Sequence, residues 1–345
     1  MAALILATGQ MRCYDAWGRE IPCAGSGQDG EFRSGRSWPS PRFRVEDGTA
    51  EDLLTGLVWS RDANPAIFPL TWQESLDFIA SLNRDEYLGF ADWRLPNRRE
   101  LRSLLSFQEK KPALPAGHPF AKVFLGWYWS ATTAAIHPAY AWYVHMEGAR
   151  MFYGRKEQYC LLWPVRGGDP SRLAASGQQL CHNGAGREIP CAGTGQDGDL
   201  AFGRKLPSPR FRLTKETALD LLTGLTWLRN AEPVGGPLPW QEGADAVRRL
   251  NKAGTAGIRS WRLPNINELE SLVDCSRHSP ALPASHPFSR VQDTYWSSTT
   301  SCFETDWAWA LYLDKGATGV GHKKSAAFHI WPVADARQEG TRPLF

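Results

Sequence analysis

Residues 92–105 read DWRLPNRRELRSLL, and residues 260–273 read SWRLPNINELESLV. In both stretches a tryptophan and a leucine alternate, Trp93 with Leu95 and Trp261 with Leu263, as inward residues of a short strand do. A proline, Pro96 or Pro264, stops the strand. Asn97-x-x-Glu100 and Asn265-x-x-Glu268 then have the spacing of a helix capping box. Leu101, Leu104 and Leu105, like Leu269 and Leu272, give the new helix its apolar face. A strand that turns directly into a capped helix, present twice at a spacing of 168 residues, implies a duplicated α+β unit.

The duplication extends in both directions. GREIPCAGSGQDG at 18–30 returns as GREIPCAGTGQDG at 186–198, PSPRFR at 39 returns at 207, and DLLTGLVW at 52 returns as DLLTGLTW at 220. PALPAGHPF at 112 matches PALPASHPF at 280, YWSATT at 128 matches YWSSTT at 295, and WPV closes both copies at 163 and 331. A period this long means duplicated domains and not a solenoid. They are placed at 1–168 and 169–345, joined around Gly167-Gly168-Asp169-Pro170. Thr71-x-x-Glu74 predicts a second helix per copy, with Trp72, Leu76, Ile79 and Leu82 on one face; Trp240, Ala244, Val247 and Leu250 repeat it behind Pro239. Strands are expected at Gly56–Trp59, Trp127–Ser130, Ala141–Met146 and in the segment ending at Trp163. Each copy should therefore hold two short helices and a small, twisted, mostly antiparallel sheet.

Composition narrows the function classes. The 345 residues carry 39 Lys plus Arg against 36 Asp plus Glu, a net charge of only +3, without the basic excess that phosphate neutralisation requires, so no nucleic-acid partner is expected. No apolar run is long enough to span a membrane. Sixteen Trp, 32 Gly and 24 Pro suit short strands and ordered loops.

The ordered series DLLTGLVW, TWQES, DWRLPNRREL, YWSATT, AWYV and WPVRGG, present in both copies, resembles the Lcl C-terminal domain family, named for the terminal domain of a collagen-like bacterial surface adhesin. The resemblance implies a C-type-lectin-like or related α+β fold, a secreted or surface setting, and binding in place of catalysis. A better-understood member binds sulfated polysaccharides in adhesion, and related domains serve as variable proteins of diversity-generating retroelements. This chain lacks the adhesin's collagen-like Gly-x-y stalk, so trimerisation through a stalk does not carry over. The expected partner is a polysaccharide, anionic ones included, or a protein at a cell surface. A structural surface protein is the further alternative, and an oligomer is compatible with all three.

Cys13 and Cys23 are ten apart, and Cys181 and Cys191 repeat that spacing around a Gly-rich loop. Two short disulfides are the leading expectation, each worth about 2–3 kcal/mol. Free thiols, or a metal site using Cys181, His182 and Cys191, are the alternatives; Tyr14 replaces His182 in the first copy, and no metal or other cofactor is expected. Cys160, Cys275 and Cys302 have no counterpart in the opposite copy. Paired cysteines favour an oxidising compartment, hence an extracellular, cell-surface or periplasmic location. The stretch Met1–Gln10 lacks a basic region and does not read as a secretory signal.

No enzyme constellation emerges. His118 and His286 read as turn histidines, Glu100 and Glu268 as caps, Arg94 and Arg262 as ties to a carbonyl or carboxylate, and Trp59, Trp129, Trp227 and Trp296 as core. The chain has no Gly-x-Ser-x-Gly, P-loop or His-Glu-x-x-His. The two copies diverge between YWS and WPV. There Trp142, Val144 and Met146 align with Trp309, Leu311 and Leu313 and predict the buried strand face, which leaves Tyr143, His145 and Tyr312 exposed. With Arg150, Phe152, Tyr153, Arg155, Lys156, His322, Lys323 and Lys324 they form the candidate ligand-binding set, a variable rim on a fixed frame.

Overall fold

The computed structural model describes residues 4–335. In each copy a long helix, Trp72–Arg84 or Trp240–Ala253, lies on one face of a sheet. Thr71 and Glu74 form the expected capping box, whereas Pro239 caps without a side-chain bond. The short helices Arg98–Ser103 and Ile266–Ser271 start at Asn97 and Asn265 with both capping-box bonds made. A one-turn helix, Asp29–Phe32 or Asp197–Leu200, adds a third per copy. Strands Phe43–Glu46, Thr49–Asp52, Leu57–Ser60 and Val165–Gly167 form a four-stranded antiparallel sheet, and Phe211–Leu213, Thr217–Asp220, Leu225–Leu228 and Val333–Asp335 repeat it. The last strand therefore begins after Trp163, not before it. Leu161 and Cys160 make only isolated bridges, because Pro164 interrupts the ladder.

The divergent segments do not form a rim. Trp127–Thr133, Tyr140–His145 and Met151–Arg155 of copy 1 make three antiparallel strands, and Thr294–Thr300, Trp307–Tyr312 and Ala317–His322 of copy 2 make three more. Met151 pairs with Thr318, so the two halves join into one six-stranded sheet. One core cluster accordingly contains Trp142, Val144, Met146 and Met151 together with Ile266, Trp309 and Ala317. The opposite face of the sheet is covered as well, by the long helices, so Tyr143 is only 9% exposed and packs with Trp72, Leu76 and Trp129. The predicted alternation of Trp142 and Tyr143 holds; the inference that Tyr143 meets solvent does not, since both faces are buried.

Each amino-terminal ribbon crosses to the other copy. The hairpin Cys13–Tyr14 with Glu20–Ile21 carries the disulfide Cys13–Cys23, and Cys181–His182 with Glu188–Ile189 carries Cys181–Cys191. Thr299 of copy 2 donates its hydroxyl to Asp29 at 2.6 Å, and Thr132 of copy 1 donates to Asp197 at 2.6 Å. Gln10 bonds Thr300 through both backbone groups, and Gln178 does the same with Thr133. Gly18 at the ribbon turn has φ +78 and would place a Cβ 2.7 Å from Thr305 Oγ1; Gly186 would place one 2.7 Å from the backbone nitrogen of Ala139. Only glycine fits so close an approach at positive φ.

Two outcomes follow. Burial, opposed by the Thr299 and Thr8 hydroxyls, pushes Asp29 up to about 6, and burial opposed by Thr132 and Ser176 pushes Asp197 up to about 6. A carboxyl whose folded pKa is raised contributes stability below its unfolded value near 4 and loses it as pH rises through about 6. Denaturant midpoints should therefore fall between pH 4 and 6.5, and the Asp29→Asn/Asp197→Asn double variant, whose amide oxygens still accept from the threonines, should flatten that fall. Second, Trp142→Ala and Tyr143→Ala should each cost about 3–5 kcal/mol in chemical denaturation, as large aromatic truncations in a core do.

Candidate functional site

Nine of the predicted binding residues have contacts of their own within the fold. The Lys156 ammonium donates to Thr133 Oγ1 at 3.0 Å and to the carbonyls of His182 and Asn183, and it lies over Trp72 at 3.9 Å. Lys323 donates to the carbonyls of Tyr14, Asp15 and Thr305 and lies over Trp240 at 4.4 Å. Both are buried and clamp the exchanged ribbons; burial pulls each down to about 7. Three oxygen acceptors and an aromatic face can replace the hydration of a buried ammonium, which is why a lysine there does not look outward. Tyr143 is core. Tyr153 packs edge-on against Trp142 at 5.3 Å, and Tyr312 rests beside Gly319 near the join. His322 lies 3.4 Å from Asp306 and bonds Ser325. Lys324 sits over the exposed Trp17, Arg155 bonds the Tyr140 hydroxyl, and Phe152 stacks on Tyr153.

The divergence of Tyr143 is a volume exchange. Copy 2 has Ala310 there, and Phe328 where copy 1 has Cys160. A Cβ on Gly154 would meet the Tyr143 ring at 2.4 Å, and one on the equivalent Gly321 would meet the Phe328 ring at 2.5 Å. One aromatic fills the same niche from the strand in copy 1 and from the following loop in copy 2. Such swaps keep core volume and are tolerated.

His145, Arg150 and Trp127 do come together. The His145 ring packs edge-on to Trp127 at 4.7 Å, and the Arg150 guanidinium lies 5.9 Å from the same indole. Burial lowers the pKa of His145, against a bond to the Glu147 carbonyl. Trp127 also walls a cavity of about 320 Å³ with Asn64, Ile67, Phe124, Tyr159, Cys160 and neighbouring backbone. Its surroundings are unusually apolar for a surface: of the lining residues Ile67 is 68% exposed, Phe124 51% and Tyr159 69%, and the adjoining Phe68 and Leu125 are 71% and 45% exposed. At its base the Asn64 amide donates to the Ile67 carbonyl, while Asn64 Oδ1 is buried with no protein partner.

Copy 2 has no such surface. Gly235 and Gly236 replace Ile67 and Phe68, Gln292 replaces Phe124, Leu125 is an extra residue of copy 1 because Asp293 takes the place of Gly126, and Ala327 replaces Tyr159. Glu232, at the position of Asn64, pairs with Arg290 at 3.0 Å and lies 3.5 Å from His329. Ile67 has φ +67, where Gly235 has φ +75. A β-branched residue in the left-handed region is a genuine outlier that costs about 1–2 kcal/mol. Four of these five apolar residues precede YWS and lie outside the divergent stretch; Tyr159 lies inside it, past the last copy 1 residue of the candidate set. Comparison of the two copies at 67–68 and 124 carries the signal: large apolar residues stand where glycine and a polar residue suffice.

The other residues singled out from the sequence are packed into the structure. His118 Nδ1 accepts from the Phe120 N–H at 3.3 Å and its ring stacks on Phe120, and His286 stacks on Phe288. Arg94 pairs with Glu100 and the Gly167 carbonyl, and Arg262 is bidentate to Glu268 at 2.6 and 2.7 Å. Trp59, Trp129, Trp227 and Trp296 are fully buried. Burial pushes the free thiols up, Cys160 to about 12 and Cys275 and Cys302 to about 11. Among the described residues no three His, Cys, Asp or Glu side chains are grouped to hold a metal ion, and no helix is long and apolar enough to cross a membrane.

No curated protein sequence matches the chain. The Lcl C-terminal domain matches twice, at residues 48–166 and 216–334, each match beginning after a ribbon and ending at the last strand of its copy. With that order of elements, the paired capping boxes and both matches covering most of its length, the chain belongs to the Lcl C-terminal domain family.

Proposed function

We propose that this chain is a non-enzymatic recognition module that binds a protein partner through the apolar cavity of copy 1, in an extracellular or periplasmic setting consistent with its two disulfides. The observation that carries the reading is Ile67. Copy 1 holds a solvent-exposed isoleucine in a backbone conformation that copy 2 fills with glycine at no strain. Strain kept at an exposed apolar residue favours a functional role there. Around it the exposed aromatic and aliphatic side chains resemble the anchor region of a protein interface. The buried Asn64 Oδ1 adds one acceptor for a partner N–H or O–H, which suits a Trp or Tyr side chain inserted into the cavity.

Polysaccharide recognition, the other reading of the family resemblance, would draw on stacking and on cations for an anionic chain. The burial of Lys156 and Lys323 removes two of its expected cations, and no lysine or arginine lines the cavity. The protein reading is therefore preferred.

A displayed-peptide library selected on the whole protein should return sequences with a shared Trp or Tyr. Phe124→Gln and Tyr159→Ala should weaken the selected peptides at least tenfold while shifting stability by no more than about 0.5 kcal/mol. Ile67→Gly should raise stability by about 0.5–1 kcal/mol, the left-handed penalty less the entropy of glycine, and weaken binding. Retention of binding by all three variants, or binding to a glycan array with no peptide enriched, would overturn the assignment.

A further inference from the structure

A second feature lies where the two copies meet. The helices Arg98–Ser103 and Ile266–Ser271 face one another across the pseudo-two-fold relation, and their sequences differ in charge. Copy 1 supplies Arg98, Arg99 and Arg102, and copy 2 supplies Ile266, Asn267 and Glu270 at the same positions. All three arginines and Glu270 are buried. Glu270 lies 3.4 Å from Arg98, 3.1 Å from Arg99 and 4.0 Å from Arg102. One carboxylate thus lies within 4.0 Å of three guanidinium groups.

The three cations are not equally served. Arg99 donates to Glu270, to the Ala175 carbonyl and to the Val273 carbonyl. Arg98 donates to the Gly316 carbonyl and stacks over Trp142 at 3.9 Å, while its Nε and Nη1 are buried without hydrogen-bond partners and lie away from the cavity that Arg102 borders. Arg102 meets only neutral acceptors in good geometry, Thr318 Oγ1 at 3.2 Å and Asn267 Oδ1 at 3.1 Å, and its Nε is buried without a partner. Asp197 and Asp274 act on Arg99 and not on Arg102, whose charged neighbours are Glu270, Arg98 and Arg99. Burial and the two like charges pull Arg102 down to about 10, which still leaves it charged at neutral pH.

Arg102 borders a cavity of about 60 Å³. Its walls come in matched pairs from the two copies: Leu6 with Ala174, Ser103 with Ser271, Arg99 with Asn267, and Arg102 with Glu270. The cavity therefore straddles the pseudo-axis. It is large enough for a few waters or one monatomic anion. Water would satisfy the orphaned Nε but not the charge, and an uncompensated buried cation costs several kcal/mol.

We propose that this cavity is a binding site for a small inorganic monoanion, chloride in ordinary buffers, held between the copies by Arg102; the Ser103 and Ser271 hydroxyls in its wall donate instead to the Glu100 and Glu268 carbonyls. The anion completes the charge balance of the inter-copy contact. It would act in structure, independently of the apolar cavity.

Bromide is the probe. Crystals of the full chain soaked in sodium bromide should show an anomalous peak in this cavity beside Arg102. A soak that labels surface sites but leaves the cavity without a peak would overturn the proposal. In solution the melting temperature should be several degrees higher in sodium chloride than in sodium gluconate at equal ionic strength, as a ligand of the native state requires. Arg102→Met, which removes the excess charge but keeps an extended side chain, should abolish that difference; an unchanged difference would count against the site. If Arg102→Met does not fold, the bromide experiment on the unaltered chain still decides.

Discussion

Thr299 reaches across to Asp29 and Thr132 reaches across to Asp197, and the rest of the architecture depends on this reciprocal exchange. A ribbon with a two-residue hairpin and one disulfide has little core of its own. It gains burial only where a groove is ready, and the groove it uses belongs to the other copy. Lys156 and Lys323 close over the ribbons with three acceptors each, and Gln10 and Gln178 add backbone-like pairs. Neither copy is complete alone, because each lends the piece that covers its neighbour. This accounts for the close sequence identity of the two ribbons: they face receiving grooves built from the same residue types.

The contact between the copies is nonetheless not symmetric. Arg102 and Glu270 occupy equivalent positions, as do Arg99 and Asn267. Two first copies brought together the same way would bury six guanidinium groups with no carboxylate between them, an arrangement that desolvation forbids. Two second copies would bury two glutamates without a cation. Charge at these few positions thus favours pairing of unlike copies, which in one chain means pairing with itself. The six-stranded sheet adds a weaker constraint, since the Met151 and Thr318 join is a single register pair.

Much of this could be read in the sequence because it is local. Capping boxes at Thr71, Asn97 and Asn265 depend on spacing within four residues, and the ten-residue cysteine pairs close loops too short to leave many partners. Strand parity gave the correct alternation at Trp142 and Tyr143. Exposure did not follow, because parity tells which residues share a face and not whether the face is covered. The long helices cover it. Lys156 and Lys323 were misplaced for a related reason: their partners are carbonyls of a ribbon that begins the other copy, a contact between residues up to 309 positions apart. No window of sequence contains it.

Divergence between duplicated copies therefore has at least three physical meanings in this one molecule. Tyr143 with Cys160 against Ala310 with Phe328 conserves volume, so its two changes cancel and say nothing about ligands. Arg98, Arg99 and Arg102 against Ile266, Asn267 and Glu270 create complementarity, so each change has meaning only beside its opposite number across the interface. Ile67, Phe68, Phe124 and Tyr159 against Gly235, Gly236, Gln292 and Ala327, with the extra Leu125, belong to neither class. They fill no niche, face no partner in the other copy, and at Ile67 they cost backbone energy. A change that neither conserves packing nor repairs a contact, and that costs stability, is the kind that binding can maintain.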